Sequence, residues 1–251
     1  MSIGKDILSH KRKCLSKPHF LTRLSIRADQ ENKKAIMKMI DELVKKHNTK
    51  LNVLEVGPGE DPVISKLNFR GHLCGLEFPG HGFTAEKSGL KMYYCDLSIN
   101  APWPFEDGDF DLIVSNQVLE HLPNTDHFFR ELYRVLKLGG YAIVSTPNLA
   151  SWDSIISLFL GFQPRFCNVS DELLGVGNPL SPQRSKKRQN PTHAHLRIFT
   201  IRALAEMMRA YGFRVEKTSC GSWMGIPIIS LFLTRLDPLH GTWATVKARK
   251  V

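Results

Sequence analysis

Short apolar runs alternate along the chain with stretches in which apolar residues recur at every third or fourth position. The short runs are typical of buried strands, which we predict at 51–56, 71–77, 91–95, 110–115, 141–145, 213–218 and 242–248. The helical spacing predicts helices at 28–47, 126–137 and 201–211, and the glycine pair 139–140 is expected to end the second. Because strands separated by helices form βαβ units, the pattern indicates an α/β fold with a mainly parallel sheet.

A long segment, residues 147–196, interrupts this alternation. It contains several Pro and Gly residues and the basic run R-S-K-K-R at 184–188. Connections of this length in compact domains are usually functional or lack regular structure, so we expect an insertion that binds or covers a substrate. The predicted organisation is a basic N-terminal arm and helix at 1–50, followed by a catalytic domain at 51–251. Residues 1–26 show no clear periodicity, which indicates a mobile or solvated stretch.

The chain carries a formal net charge of +10. This balance favours phosphate-bearing partners or an anionic membrane surface, although many proteins with such a charge bind neither. The five cysteines form no C-x-x-C pair, so we expect no metal site and a reduced, cytoplasmic setting.

Residues 1–20 lack a signal-peptide core, and no run approaches the roughly 18 apolar residues of a membrane span. The shorter apolar segments 155–162 and 223–233 suit either pocket walls or contact with a membrane surface.

A glycine-containing turn, Glu55-Val56-Gly57-Pro58-Gly59, follows the first predicted strand. Glycine lets the backbone turn tightly beside a ligand, and ligands of open α/β sheets sit beyond the carboxyl ends of the strands. Glu77 ends the second strand and suits a ribose hydroxyl, while Asp96 follows the third and could accept from an adenine amino group. Each feature alone fits a plain turn or a solvated acid. Their occurrence at three successive strand ends predicts a cofactor site.

The surrounding residues extend this pattern into a family resemblance. The match runs through L-E-V-G-P-G-E, C-G-L-E, D-L-S-I-N-A-P-W-P-F-E-D-G-D-F-D-L-I-V-S-N-Q-V-L-E-H-L and F-F-R-E-L-Y-R-V-L-K-L-G-G-Y-A-I-V-S-T-P-N. It covers residues 51–148 almost without a gap and 193–219 more loosely. The chain resembles class I S-adenosylmethionine-dependent methyltransferases of the type found in ubiquinone, biotin and glycan biosynthesis. The resemblance implies a Rossmann-like, doubly wound sheet of seven strands, mostly parallel with one antiparallel strand, in three αβα layers.

The resemblance also implies S-adenosylmethionine as cofactor. The positions that match the family's cofactor-binding residues are Glu55, Gly57 and Gly59 for the methionine end, Glu77 for the ribose, Asp96 and Leu97 for the adenine, and Asn116 and Gln117 beside the methyl-transfer site. One position departs from the family, because Asp61 stands where a third glycine is common. Asp61 is expected to be the N-cap of a helix that starts at Pro62, or else a negative charge near the cofactor's methionine end.

The sequence favours a small-molecule or lipid-linked acceptor and leaves oxygen, nitrogen and carbon methylation open. Enzymes that methylate amino groups of DNA carry an (N/D)-P-P-(Y/F) motif after the fourth strand, where this chain has S-N-Q-V. Enzymes that act on cytosine C5 need a cysteine nucleophile, and none lies at the end of the fourth or fifth strand. Both classes of DNA enzyme are therefore set aside.

The segment T-H-A-H-L-R-I-F-T at 192–200 closes the insertion and carries the candidate acceptor chemistry. His193 and His195 are candidate catalytic bases, because imidazole titrates near neutral pH. Arg197 could hold an acidic group of the acceptor, and His121 in the E-H-L turn is a further candidate substrate contact. In the structural alternative, Arg197 and one histidine brace the insertion, and Thr200 caps the helix that follows.

Three other classes stay open. The basic arm and the 184–188 run would suit an RNA methyltransferase, which predicts salt-sensitive RNA binding. A partner subunit that binds the cofactor without acceptor chemistry would carry the same glycine loop. A nicotinamide-dependent dehydrogenase would need G-x-G-x-x-G where this chain has G-x-G-x-D. Nucleic acid is the less favoured partner, and the expected location is the cytoplasm, with or without contact at a membrane surface.

Overall fold

The computed structural model describes residues 20–47, 50–67, 71–80, 89–188, 194–222 and 236–251. The strands are β1 Leu51–Val56, β2 Gly71–Glu77, β3 Lys91–Tyr94, β4 Phe110–Asn116, β5 Leu136–Pro147, β6 Phe213–Ser219 and β7 Trp243–Lys250. The helices are α1 Phe20–His47, α2 Thr125–Val135, α3 Trp152–Phe159 and α4 Ile201–Ala210, with 3-10 turns at Ile64–Lys66 and Leu119–His121. The apolar segment predicted at 223–233 lies outside the described residues.

The strands form one seven-stranded sheet in the order β3-β2-β1-β4-β5-β7-β6. Neighbouring strands from β3 to β5 pair in parallel, and β7 runs antiparallel to both β5 and β6. This confirms the predicted α/β class, with seven strands of which one is antiparallel. Because β1 to β4 run in the same direction, their carboxyl ends share one edge of the sheet.

Apolar side chains leave both faces of the sheet, which produces three layers. Ile113 of β4 packs into a core shared with α2 and α4. Its neighbours Leu112 and Val114 point to the other face and pack into a core shared with α1. The strand is therefore apolar at successive positions, as expected where both faces of a parallel sheet are covered.

Two predicted boundaries are wrong. α1 begins at Phe20 rather than at residue 28, so part of the stretch expected to be mobile or solvated is helical. α2 ends at Val135, and β5 begins at Leu136 because that residue already pairs with Phe110 of β4. The glycine pair 139–140 therefore lies inside a strand instead of ending a helix.

The insertion leaves the sheet after β5 and returns at α4. It contains α3 and a narrow ribbon in which the backbones of 172–174 and 185–188 exchange hydrogen bonds. An isolated parallel bridge between Asn148 and Phe199 brings its two ends together. The insertion therefore starts and ends at the same place, beside the carboxyl edge of the sheet. No helix among the described residues is long and apolar enough to cross a membrane.

Candidate cofactor and acceptor site

The residues predicted for the cofactor gather at the carboxyl edge of the first four strands. Val56 pairs with Leu76 and Ser115, and Glu77 pairs with Tyr94. The residues that follow these positions therefore lie side by side along one edge. This is the edge at which open parallel sheets bind their ligands.

The two glycines after β1 adopt conformations that other residues rarely do. Gly57 has φ +67° and Gly59 has φ +56°. A Cβ on Gly57 would lie 2.3 Å from Cγ2 of Val118, whereas a Cβ on Gly59 would have no described atom within 4 Å. Gly57 is thus needed for packing as well as for the turn, and Gly59 borders open space. A loop of this kind lets a ligand approach the backbone closely.

Glu77 holds the glycine loop and its own strand end together. Its Oε2 accepts from the amide of Gly59 at 3.0 Å, and its Oε1 accepts from the amide of Phe78 at 2.9 Å. Each carboxylate oxygen has a second lone pair, so both can still accept from a ribose hydroxyl. The position of Glu77 fits its predicted role.

Asp96 lies one strand further along the same edge. Its Oδ1 accepts from both the amide and the hydroxyl of Ser98, at 2.8 and 2.5 Å. These bonds fix the carboxylate in a tight turn after β3. Leu97 packs partly against the apolar core, so it forms an apolar surface beside the acid. This pairing suits a flat, partly polar group such as adenine.

The end of β4 supplies two polar side chains in different environments. Oδ1 of Asn116 accepts from Nδ2 of Asn32 on α1 at 3.0 Å. Gln117 has φ +63°, which is uncommon for a residue other than glycine and is a form of strain found at functional sites. Its Nε2 is buried and has no hydrogen-bond partner among the described residues. A buried amide left in this way favours a ligand at this position.

Glu55 has contacts other than those expected from the family pattern. Its carboxylate is buried and accepts from the amides of Val63 and Ile64, both at 2.9 Å. Burial raises the pKa of Glu55 to about 7, although the two amide bonds oppose the shift. In the described geometry Glu55 therefore braces the segment after the glycine loop. Direct contact with the cofactor stays a prediction.

Asp61 does not cap a helix. The 3-10 turn that follows begins after Val63 and has no side-chain cap. Asp61 instead pairs with Lys66 at 2.8 Å and with Lys33 of α1 at 3.0 Å. Hydrogen bonds from these two lysines lower the pKa of Asp61. The residue in place of the third glycine thus ties the cofactor loop to α1.

A cavity of about 460 Å³ lies between α1 and the insertion. Leu24, Ser25 and Ala28 line it from α1, and Ile156 lines it from α3. The remaining wall includes residues from 163–169 and 173–183, together with Arg188, His195 and Thr242. The cavity is the best candidate for the acceptor site among the described residues, because the insertion was expected to bind the substrate.

His195 connects this cavity to the edge of the sheet. Its ring lies 4.8 Å from the ring of His121, centre to centre, and its Nδ1 lies 2.9 Å from the carbonyl oxygen of Phe166. Burial lowers the pKa of His195 to about 4, and the neighbouring His121 adds to the shift. The imidazole is therefore neutral at neutral pH. His193, the other candidate base, lies outside the described residues.

Glu120 belongs to the same E-H-L turn as His121, but the sequence pattern indicated no site role for it. Glu120 is fully buried, and its Oε2 accepts from the hydroxyl of Thr146 at 3.0 Å. Burial raises the pKa of Glu120 to about 8. Nδ1 of His121 lies 3.0 Å from the carbonyl oxygen of Ala194. The only signal in the sequence was the polar pair E-H within an otherwise apolar turn.

Arg197 braces the end of the insertion. Its Nη1 donates to the carbonyl oxygens of Leu122 and Pro123 at 3.0 and 2.7 Å. Arg197 is not among the residues that line the cavity, so its predicted contact with the acceptor stays a prediction. Thr200 caps α4 by accepting from the amide of Ala203 at 3.1 Å, as the structural alternative predicted.

Comparison with known proteins identifies the class to which this fold and site belong. The sequence profile of a family described as a methyltransferase domain matches residues 28–218. Because the match takes in well over half of the chain, the chain belongs to this methyltransferase family. The class I, S-adenosylmethionine-dependent resemblance is confirmed, and S-adenosylmethionine is the cofactor that the family implies.

Individual relatives agree with this class. A probable S-adenosylmethionine-dependent methyltransferase of Mycolicibacterium smegmatis is 31% identical over 197 residues, which cover 76% of this chain and 60% of the relative. The ubiquinone biosynthesis O-methyltransferase of Rickettsia prowazekii is 30% identical over 106 residues, which cover 40% of this chain and 41% of the relative. The chain thus spans less than two thirds of either curated relative. A solved methyltransferase of Thermotoga maritima has the same fold, with a TM-score of 0.56, 17% identity and 91% of each chain covered.

Proposed function

We propose that this chain transfers the methyl group of S-adenosylmethionine to a small-molecule or lipid-linked acceptor bound in the cavity between α1 and the insertion. The contact between His195 and His121 carries the proposal. His195 lines the cavity, and His121 belongs to the turn that follows Gln117 at the cofactor edge. The acceptor cavity and the cofactor edge therefore share a wall, as a direct transfer between the two ligands requires.

The cofactor residues keep their predicted roles in this proposal. The backbone at Gly57 and Gly59 would lie against the methionine end, Glu77 would accept from the ribose hydroxyls, and Asp96 would accept from the adenine amino group. Gln117 would donate from its buried Nε2 toward the bound cofactor or acceptor. The cofactor supplies an activated methyl group, so the protein has mainly to orient the acceptor and exclude water.

The cavity wall indicates the character of the acceptor. It combines apolar side chains such as Leu24 and Ile156 with the cationic Arg165 and Arg188, which outnumber the one lining acid, Asp153. The guanidinium of Arg165 packs over the ring of Phe166, 4.5 Å from its centre. An apolar molecule with one anionic or acidic oxygen-bearing group fits this lining. The ubiquinone biosynthesis relative, named for O-methylation, supports the same class of acceptor.

A base would be required only for acceptors that lose a proton. With Nδ1 donating to Phe166, His195 would present Nε2 as the accepting atom. A pKa of about 4 makes His195 a weak base, so it would accept the proton only as methyl transfer makes the acceptor oxygen more acidic. His195→Ala is expected to lower turnover more than it weakens cofactor binding. Full turnover in a double variant, His193→Ala with His195→Ala, would rule out a base from either residue.

The proposal is tested by release of S-adenosylhomocysteine. The purified chain with S-adenosylmethionine would be offered hydroxylated aromatic acids, with and without a prenyl tail, beside total RNA and a metabolite extract. We expect methylated product from at least one acidic acceptor or from the extract. Cofactor binding without any turnover would support the non-catalytic partner subunit. Salt-sensitive turnover confined to RNA would support the RNA methyltransferase instead.

We also propose that α3 contacts a membrane surface from which a lipid-linked acceptor could enter. Leu158, Phe159 and Leu160 are exposed, with Phe159 at 89%. α3 and the segment before the basic run at 184–188 line the same cavity, and Arg184, Lys186 and Lys187 are exposed. Exposed apolar side chains and exposed cations on two segments that border one cavity match the composition of a surface that binds an anionic bilayer.

Flotation with phosphatidylcholine vesicles containing phosphatidylglycerol tests this contact. We expect binding at low salt that is lost in a Phe159→Ser, Leu160→Ser variant. Leu138→Ser removes an equally exposed apolar residue on β5 and should leave binding unchanged. Absence of binding at low salt, or equal binding by all three proteins, would contradict the membrane contact.

A further inference from the structure

Glu120, His121 and His195 bring three potential metal ligands together beneath the insertion. One carboxylate oxygen and one nitrogen from each imidazole all lie within 4.8 Å of one another. Nε2 of His121 is 4.0 Å from Oε1 of Glu120. The three residues come from two distant parts of the chain, so the fold itself assembles the cluster.

Both imidazoles are oriented by backbone carbonyl groups. Nδ1 of His121 lies 3.0 Å from the carbonyl oxygen of Ala194, and Nδ1 of His195 lies 2.9 Å from that of Phe166. A carbonyl oxygen only accepts, so each Nδ1 carries the proton and each Nε2 carries a lone pair. Metal-binding histidines are commonly fixed in this way, through the nitrogen that does not bind the metal.

Glu120 supplies an observation that the methyl-transfer reaction does not explain. The side chain is fully buried, and Oε1 has no hydrogen-bond partner among the described residues. Oε2 is held by Thr146, which leaves Oε1 directed toward His121. An unpartnered carboxylate oxygen costs free energy in a protein interior unless a proton or a cation satisfies it.

We propose that Oε1 of Glu120 and Nε2 of His121 and His195 bind one divalent transition-metal ion. Two imidazoles and one carboxylate form a ligand set known for Zn²⁺ and for other first-row divalent ions. Mg²⁺ and Ca²⁺ prefer sites built from oxygen alone, so they are expected to bind much more weakly. The sequence offered no such site, because it pointed only to the absence of cysteine pairs.

A metal at this position would draw the three side chains together. Bond lengths of about 2.1 Å require ligand atoms roughly 3.4 Å apart in a tetrahedral site, so the present separations must close by about 1 Å. Small side-chain rotations provide such a change. Three protein ligands leave a coordination position for water or an acceptor oxygen, and His195 places the site on the cavity wall. A metal there would favour hydroxylated acceptors and would take over from His195 the activation of the hydroxyl group, because the Nε2 lone pair would then bind the metal; this extension rests on the proposed function.

Metal binding can be measured without any acceptor or methyl transfer. The untagged full chain would be freed of metal with a chelator and titrated by calorimetry with Zn²⁺, Mn²⁺ and Mg²⁺, and Co²⁺ would report the ligands by its visible spectrum. We expect one Zn²⁺ or Co²⁺ per chain and binding at least tenfold weaker in Glu120→Gln and in His195→Gln. His127→Gln, which alters a histidine bonded to the carbonyl of Ala101, is the matched control.

The outcomes separate this site from the proposed function. Retained binding of S-adenosylhomocysteine by the two variants would show that they are folded. Failure of folded wild-type protein to bind Zn²⁺, Mn²⁺ or Co²⁺ would overturn the metal site and leave the methyl-transfer proposal standing. Equal metal affinity in wild type and in both variants would overturn it as well. Metal binding without methyl transfer to any acceptor would count against the proposed function alone.

Discussion

Gly57 occupies a position where both the backbone and the space beside it require glycine. Its φ is +67°, and an added Cβ would come within 2.3 Å of Cγ2 of Val118. Val118 follows the strained Gln117, so the turn after β1 and the turn after β4 are packed against each other. A larger residue at Gly57 is therefore expected to displace Val118 and the neighbouring Gln117, which we predict to lie beside the transferred methyl group.

Gly57→Ala is expected to weaken S-adenosylhomocysteine binding at least tenfold and to destabilise the chain by about 1–3 kcal/mol. Calorimetry and denaturant unfolding measure the two effects. Adding Val118→Ala removes the colliding methyl group, so the double variant should recover part of the affinity while the φ strain remains. Wild-type affinity in Gly57→Ala would contradict the close packing of the two turns.

Glu55 is expected to make stability depend on pH. Its pKa is raised from 4.5 to about 7 by burial, so the folded chain holds a proton that the unfolded chain releases. The retained proton contributes on the order of 3 kcal/mol to the free energy of unfolding. This contribution is complete below about pH 4.5, falls as the pH rises, and is lost above about pH 7. The Glu55→Gln variant has no titratable group at this position, so its stability lacks this dependence on pH.

Urea unfolding of wild type and Glu55→Gln at pH 5, 6, 7 and 8 isolates this contribution from other acids. We expect the variant to gain most of its relative stability between pH 5 and 7 and only a few tenths of a kcal/mol, roughly 0.4, between pH 7 and 8. A difference between the two proteins that stays constant with pH would mean that Glu55 is ionised throughout.

The positions of the candidate residues along the sheet edge could be predicted from the sequence, whereas their side-chain contacts could not. Glu77 and Asp96 lie where strand ends and spacing predicted, because the position of a residue at a strand end follows from the backbone alone. Glu55 could not be assigned in this way, because its side chain turns toward amides eight and nine positions ahead. Glu120 was missed because its burial and its histidine neighbours depend on tertiary folding.

At the scale of elements, the hydrophobic pattern predicts the wrong structure where pairing with a neighbouring strand overrides the local preference of the chain for a helix. The helical spacing at 126–137 continues through Leu136, yet Leu136 pairs with Phe110 across an irregular step in the sheet. The start of α1 was missed because its first turns are basic and have no clear apolar period. A distant contact holds this part of the helix, because the guanidinium of Arg165 in the insertion donates to the hydroxyl of Ser25.

Thr200 gives a prediction at this scale, since it joins the insertion to α4. Its hydroxyl accepts from the amide of Ala203 at 3.1 Å and satisfies one of the free amides at the start of the helix. Thr200→Ala should lower the free energy of unfolding by about 1 kcal/mol, and Thr200→Ser should keep most of it. Urea unfolding compares the three proteins. Equal losses in Ala and Ser variants would attribute the effect to packing of the threonine methyl group.

At the scale of the whole molecule, the alternation of apolar segments was sufficient for the fold class. Each strand from β1 to β4 is short and has a glycine or a polar residue at or just after its carboxyl end, so the shared ligand edge could be anticipated. The path of residues 160–188 could not, because this segment is held by turns and by the narrow ribbon rather than by any repeating pattern. The cavity proposed for the acceptor could therefore not be predicted from the sequence, although the insertion that lines it could.

Ligand-induced stabilisation tests the identity of the cofactor for the folded chain as a whole. S-adenosylhomocysteine at about 100 times its Kd should stabilise the chain by about 2.7 kcal/mol, which is roughly 5–10 °C in Tm for a domain of this size. NAD⁺ at the same concentration should produce no shift. Stabilisation by NAD⁺ alone would favour the dehydrogenase, and Tm is read by calorimetry or tryptophan fluorescence.

The shared lining of the cavity has a consequence for how acceptor preference would change during evolution or design. α1 and the insertion face each other across the cavity, and Arg165 donates to the hydroxyl of Ser25 between them. The two segments lie on opposite sides of the cofactor-binding strands in sequence. A chimaera that exchanges only the insertion would pair one half of the cavity with an unrelated other half. Recombination that leaves the middle of the chain in place and exchanges both flanks together is the change expected to transplant substrate choice.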